Sequence, residues 1–418
     1  MSNSTDYWDA IVVGAGVAGG AAAAMLARRG WRVLLVERSN WPREKVCGGC
    51  LSASAIDALR EIGIASAIAS AQSTTSVVWE SGARAFEHPL PRGAAILRGE
   101  FDAAIVSEAV RRGCEFLPAC SASLLPASSA DAFRTLRLRT GNQIFEARAG
   151  LVIACDGIGG TLLNSEPWAK WTISPGSLMG VAATYRGHSE SILPGRIYMC
   201  MGNNGYVGMV RIDSSREHLA AALDPISCRR AGGPENLVRE ILGSCGRSIP
   251  DALDGARFRG AGTLTRRRQH LGGYRVLAVG DACGYVEPLT GEGMAWAAIG
   301  ARELVNMLPN PLARWRDDLP AQWRRRYLQV IGRQQSWCRG MRATAHHPAM
   351  AAAGIFIGNA MPALARWIAQ TICQPSTKEL SNDNLGRFPI AQAPSRTNAG
   401  DSWHRHRQPA RGPAGVGA

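Results

Sequence analysis

Gly14-Ala15-Gly16-Val17-Ala18-Gly19 is a G-x-G-x-x-G run set between an apolar stretch, Ala10 to Val13, and an alanine-rich stretch, Gly20 to Arg29. A strand that feeds a helix through such a run has few outcomes. The first glycine turns the chain, the second lets a pyrophosphate approach the backbone, and the third packs helix on strand. Trp31 to Val36 reads as the next strand, completing a βαβ unit, and Glu37 follows Gly19 by 18 residues. A carboxylate there binds the adenosine ribose hydroxyls and disfavours a 2′-phosphate, so the expected dinucleotide is FAD or NAD rather than NADP. Gly14, Gly16, Val17, Ala18, Gly19, Glu37 and the adjoining Arg38 are the first candidate cofactor-binding residues.

The same stretch is long enough to suggest a spanning helix, since Ala10 to Ala27 holds 18 uncharged residues. Its glycines, and Asp6 and Asp9 ahead of it, argue against both a span and a secretory leader. Eleven cysteines, an odd number, predict a reducing compartment and a cytoplasmic protein without a disulfide framework. The net charge of +14 over 418 residues calls for an acidic partner: nucleic acid, an anionic membrane or a phosphorylated cofactor. Much of the surplus falls late, +6 from Arg314 to Arg342 and +3 beyond Cys373, and with no nucleic-acid motif beside it no nucleic-acid partner is expected. Arg266-Arg267-Arg268 reads as a solvated basic turn ahead of the alternative that it neutralises a phosphate, and the eight histidines show no ligand spacing, so no metal is expected.

Further strands are predicted at Gly150 to Ala154 and Arg275 to Val279, each running into an acidic-glycine pair, Asp156-Gly157 and Gly280-Asp281. Between them, Trp171 to Arg259 has short alternating runs such as Gly205 to Ile212, which suit an inserted antiparallel sheet. Past Asn310 the pattern turns helical, with Trp323, Tyr327, Val330, Trp337 and Met341 on one arc that predicts a helix packed on the body. Ala349 to Ala365, 17 residues with Pro362 inside, is too short to span a membrane but suits an interfacial helix. The expected organisation is a discontinuous cofactor domain at 8–75, 93–170 and 260–310, a substrate domain at 76–92 and 171–259, a helical region at 311–373 and a disordered tail at 374–418.

Val276 to Gly293, VLAVGDACGYVEPLTGEG, resembles the second FAD-binding motif of flavoproteins related to p-hydroxybenzoate hydroxylase and geranylgeranyl reductase. The resemblance implies an α/β fold (α+β overall): a Rossmann-like, GR2-type FAD-binding domain, an inserted antiparallel β-sheet substrate domain and C-terminal helices. It gives Asp281, after Gly280, a ribityl hydroxyl of FAD, and it places Pro288, Gly291, Gly293 and Met294 at a helix start aimed at the flavin. Arg43-Glu44-Lys45-Val46-Cys47-Gly48-Gly49 resembles the P-R-x-K-x-C-G-G loop of the geranylgeranyl-reductase branch, and Arg98 with Asp102 its R-x-x-x-D helix start near the FAD phosphates. Arg43, Cys47, Gly48, Arg98 and Asp156 thereby join the cofactor-binding set.

The chemistry is narrower than the fold. The W-x-W-x-I-P segment of related halogenases is absent, and Gly205-Tyr206-Val207-Gly208 keeps only the tyrosine of the prenyl-reductase Y-x-W-x-F-P. That form, with His218 to Ala222 following, resembles bacterial flavoproteins that accompany type III polyketide synthases. A monooxygenase acting on a phenolic, polyketide or quinone-like lipid is therefore expected. A reductase of isoprenoid C=C bonds and an FAD protein without independent turnover stand as the alternatives. Cys47, Tyr206 and Gly293 are the expected catalytic residues. The arginine of the hydroxylases' D-G-x-x-S-x-x-R is missing after Asp156-Gly157, which leaves either NAD(P)H docking transiently over the flavin or a separate flavin reductase as electron source. Cys47 and Cys50 also spell C-x-x-C, read either as a redox disulfide or as room for the flavin ring. A hydrophobic small-molecule substrate is expected, with the C-terminal helices in peripheral contact with the inner face of the membrane.

Overall fold

The G-x-G-x-x-G turn sits where a parallel sheet reverses its strand order. In the computed structural model, Tyr7–Val13 lies between Val33–Val36 and Gln143–Ala154, all parallel. Glu115–Leu117 extends the layer beyond Val33–Val36, and Val276–Ala278 extends it beyond Gln143–Ala154. The chain leaves Tyr7–Val13 toward one edge and later returns to fill the other, so the carboxyl end of that strand is the crevice where open α/β sheets take ligands. Gln143–Ala154 also pairs antiparallel with Arg134–Thr140, which pairs with Cys120–Leu124. The structure describes residues 7–187, 189–287, 291–309, 315–345 and 348–361, all within one compact unit spanning 1–376. Pro288 and the tail at 374–418 lie outside the described residues.

Nine helices are described: α1 (Val17–Arg28), α2 (Ala53–Ile62), α3 (Arg98–Arg111), α4 (Pro225–Arg230), α5 (Pro234–Ser244), α6 (Gly293–Met307), α7 (Leu319–Tyr327), α8 (Arg333–Ala345) and α9 (Pro348–Ala360). α1 starts three residues earlier than the alanine pattern suggests, because Gly16 already serves as its N-cap. It is almost wholly buried, and its mostly alanine and glycine side chains let it fit between sheet, α3 and α6.

The second large sheet runs in the order Arg259–Thr263, Met179–Arg186, Arg216–Leu223, Gly205–Arg211, Arg196–Gly202, Gln72–Ser81, Arg84–Ala95, Cys50–Leu51. It is antiparallel except at one seam, where Arg196–Gly202 lies parallel to Gln72–Ser81. Alternation gives its strands two working faces. Tyr198 and Cys200 pack toward α5 with Val238 and Leu242, while Met199, Met201 and Tyr206 turn to the other side.

Two expectations change here. The basic triplet is a strand, Arg266–Arg268, in a small sheet with Trp171–Ile173 and Gly284–Tyr285. Arg268 is buried with its guanidinium 3.7 Å above the Trp171 ring, and burial lowers its pKa to about 10. The predicted helical stripe holds through Trp323, Tyr327 and Val330, then breaks at Trp337, which is 47% exposed while Cys338 is 2% exposed. A π-helical turn at Leu328–Gly332 inserts one residue, which moves the buried position from Trp337 to Cys338, and the burial of Met341 lies outside what is described.

Candidate functional site

Gly14 has a φ of +104°, and a Cβ there would lie 2.4 Å from the Cys155 carbonyl oxygen, so only glycine lets the two neighbouring strand ends approach this closely. A Cβ on Gly19 would lie 1.8 Å from the Gly14 oxygen, and one on Gly280 would lie 2.8 Å from the Ala18 Cβ. These two glycines bring elements together behind the loop and do not line the cavity. Gly16 faces open space edged by the Nη2 atoms of Arg43 and Arg98, each 3.5 Å from where its Cβ would be. No side chain caps α1, which leaves its N-terminal turn facing that space.

Glu37 accepts from the Ala15 amide at 3.1 Å, the Ser39 amide at 3.0 Å and Arg43 Nε at 3.2 Å. Burial pushes its carboxyl pKa up, but the Arg43 charge and these donors outweigh that and hold it below the ordinary value, so Glu37 is ionised at neutral pH. Arg43 also donates to Asp102 Oδ2 at 2.9 Å. Arg98 grips the same carboxylate through Nε at 3.0 Å and Nη2 at 2.8 Å. Asp102, 0% exposed, thus fixes two guanidiniums beside the glycine loop.

Across the crevice, Lys45 Nζ lies 3.2 Å from Asp281 Oδ2. Asp156 turns inward to accept the Leu162 amide at 3.0 Å, and burial raises its pKa. Arg38 reaches the Gly159 carbonyl at 3.3 Å. The Cys47-Gly48-Gly49 loop is held from the substrate sheet: His218 Nε2 meets the Cys47 carbonyl at 2.7 Å, and its Nδ1 meets Thr184 Oγ1 at 2.8 Å. Gly49, at φ +68°, leaves room for that imidazole, since a Cβ there would lie 2.9 Å from His218 Cδ2. Gly48 has nothing within 4 Å of its Cβ position, which suits a flat ring passing over it. α6 points its first turn at the same place, with Gly291, Gly293 and Met294 lining the space. Its N-cap residue Glu292 is turned away to accept from Ser52 and Ser54 hydroxyls at 3.0 and 2.9 Å.

These groups border one cavity of about 1060 Å³ that runs from Glu37 and Arg38 to the second sheet. Its far half is apolar, with Met199, Met201, Val77, Trp79 and Leu264 on its walls and α9 adding Ile355 and Ile357. Tyr206 and Tyr285 both line the cavity, and for Tyr206 burial first, then the charge of Glu287, raises the pKa well above the ordinary value. The ten described cysteines are all free, Cys47 and Cys50 among them, and burial followed by Cys47 pushes the Cys50 pKa up to about 12. Among the described residues no three His, Cys, Asp or Glu side chains converge as a metal site.

A family model described as an FAD binding domain matches residues 7–319. The chain belongs to that family. As a member it is an FAD-dependent oxidoreductase, and the glycine loop, the open space over Gly48 and the paired guanidiniums suit the cofactor. Menaquinone reductase of Mycolicibacterium smegmatis is 28% identical over 309 residues, covering 68% of this chain and 72% of that protein. Among solved structures, a flavoprotein/dehydrogenase from Cytophaga hutchinsonii superposes with a TM-score of 0.72 at 17% identity, over 88% of this chain and 93% of its own. The myxobacterial chondrochloren halogenase CndH does so with a TM-score of 0.70 at 15% identity, over 90% and 95%. At such identities these two establish the shared fold alone.

Several groups of this FAD-family chain carry no sequence signal of their own. His218 and Thr184 meet because their strands pair in that register, and Glu287 approaches Tyr206 only in space. Lys45 sits inside the loop that carries the family resemblance, but its partner Asp281 lies 236 residues away.

Proposed function

We propose that this flavoprotein is a monooxygenase of a phenolic or quinone-like ring that carries a long apolar chain. The observation that carries the reading is the division of the cavity: a charged, glycine-lined half joined to an apolar half that carries the Tyr206 phenol. FAD, when bound, supplies the store of electrons from which reducing equivalents pass to oxygen or substrate. Glu37 and the first turn of α1 would hold its adenosine and pyrophosphate, and Asp281 its ribityl chain. Lys45 orients the Asp281 carboxylate. The α6 N-terminus stabilises negative charge on the ring side of the cavity. Tyr206 stays protonated at neutral pH with its hydroxyl hydrogen-bonded to Glu287, and its oxygen can accept a hydrogen bond from a ring hydroxyl, which orients the substrate against the loop of Cys47.

A second reading, reduction of a C=C bond or ring of a lipid quinone, is favoured by the menaquinone reductase relative and by the Cys47-Gly48-Gly49 loop. Oxygen separates the two. FAD-loaded protein, reduced without NAD(P)H and mixed with an alkylresorcinol, should yield a product one oxygen atom heavier only when O₂ is admitted. A substrate two hydrogens heavier, formed without O₂ from menaquinone, would establish the reductase instead. NADH, NADPH and a generic flavin reductase tried in turn identify the electron donor, and flavin that none of them reduces would leave an FAD protein without turnover.

The lipid would reach the cavity from an anionic bilayer through α8 and α9. Ile357 lines the cavity and is also half exposed, Phe356 beside it is 65% exposed, and Trp337 stands between the exposed Arg333 and Arg339. Between Asp318 and Glu379 the sequence contains no acidic residue. An apolar face bordered by arginines suits acidic headgroups. No described helix is long and apolar enough to cross a membrane. Co-sedimentation with phosphatidylglycerol vesicles that is lost with phosphatidylcholine or high salt supports this route; equal partitioning to both or neither removes it.

A further inference from the structure

The face of the substrate sheet turned away from the cavity carries two thiols that the reaction above does not use. Cys200 lies in the strand Arg196–Gly202, 0% exposed, between Met199 and Met201, which face the cavity. Cys245 is the half-buried residue that ends α5. Its sulfur lies 3.8 Å from the Met201 carbonyl oxygen and 3.7 Å from that of Glu80, while the Cys200 sulfur lies 3.2 Å from Glu80 Oε2. Cys200 and Glu80 are direct partners in the seam between their strands, and both thiols converge on Glu80, Cys200 donating to its carboxylate and Cys245 to its carbonyl oxygen. Arg247, two residues past Cys245, clamps the Glu80 carboxylate through Nε at 2.5 Å and Nη2 at 2.8 Å, so that carboxylate is neutralised locally.

The two sulfurs differ in character. Contact with Cys200 outweighs burial and holds the Cys245 thiol down to about 7, while that contact, burial and the Glu80 carboxylate push Cys200 up. Burial takes Cys114 the other way, up to about 12. A half-exposed thiolate beside a buried thiol is the arrangement of an attacking and a resolving cysteine.

We propose that Cys245 and Cys200 form a dithiol that hydrogen peroxide converts to a disulfide. The Cys245 thiolate attacks one peroxide oxygen, an S–O bond forms as the O–O bond breaks, and the departing hydroxide takes a proton and leaves as water. The Cys200 sulfur then attacks the Cys245 sulfenic acid, the S–S bond forms, and the second oxygen leaves as water with the Cys200 proton. Two thiols give up two electrons, and one peroxide becomes two waters. The link ties the end of α5 to the strand that carries Met199 and Met201.

Peptide mapping of the FAD-loaded protein after treatment with equimolar hydrogen peroxide at pH 7 tests this directly. The expected result is a crosslinked peptide pair joining Cys200 to Cys245. In Cys200→Ser, dimedone should trap a sulfenic acid on Cys245; in Cys245→Ser, Cys200 should stay reduced. Iodoacetamide should alkylate Cys245 in untreated protein about three- to fourfold faster at pH 7 than an ordinary peptide cysteine, the gain in thiolate being trimmed by lower nucleophilicity. A Cys245 that alkylates no faster than the peptide, or that remains a thiol while peroxide oxidises Cys47 or Met201, overturns the proposal.

Discussion

The two halves of the cavity are built on opposite terms. On the cofactor side, position is set by backbone that admits no side chain and by carboxylates already saturated with donors, as at Gly14 and Asp102. On the substrate side it is set by long, adaptable side chains such as Met199 and Met201, with the few polar contacts reaching across from other strands. Rigid glycine geometry suits one invariant ligand; methionine walls suit a substrate whose tail varies. If this contrast is right, substitutions on the first side abolish binding and those on the second change rates.

Gly14→Ala tests the rigid side hardest, since the methyl group would meet the Cys155 carbonyl and the residue must keep φ at +104°. Purified protein should carry essentially no flavin; a yellow, fully loaded variant would break the comparison. Asp102→Ala leaves buried Arg98 and the adjoining Arg43 without their shared counter-ion, and should cost about 3–5 kcal/mol in urea unfolding. Tyr206→Phe, on the adaptable side, should keep its FAD and lower kcat by about 10- to 100-fold, with KM little changed.

His218 links the halves and gives a pH signature. Burial lowers its folded pKa, so between that value and the ordinary 6.5 the unfolded chain binds the extra proton. Its contribution is complete above 6.5 and is lost as pH falls, by up to about 1.4 kcal/mol per pH unit. Denaturation midpoints followed below neutral pH should show this slope, and His218→Gln should flatten it while shifting the absorbance of bound flavin. The smallest effect is expected at Phe356→Ser: unchanged turnover of a short-chain substrate in solution, but a KM raised a few-fold, about the loss of one buried aromatic contact, when substrate is presented in vesicles.

What sequence alone revealed follows the same divide. Gly14, Gly16, Gly19 and Glu37 lie within 24 residues and their spacing states their geometry. Strand positions at Gly150 to Ala154 were legible because a buried parallel strand is uniformly apolar, although the strand in fact begins at Gln143. The Thr184–His218–Cys47 link was not, because it depends on which strands pair and in what register. Trp337 misled because a single inserted residue in the π-helical turn is invisible to periodicity. The role of α9 was hidden too: its apolar pattern suited an interfacial helix, but that it also walls the cavity comes from its packing on Arg84–Ala95.

The parallel seam between Gln72–Ser81 and Arg196–Gly202 bears on how the chain is made. More than a hundred residues separate its two strands, so the earlier one emerges from the ribosome long before its neighbour exists. Its hairpin with Arg84–Ala95 must wait with an open edge, the form in which a nascent chain pairs with other copies of itself. Low-temperature expression or chaperone supply should therefore govern the yield of this protein more than the stability of the finished fold does.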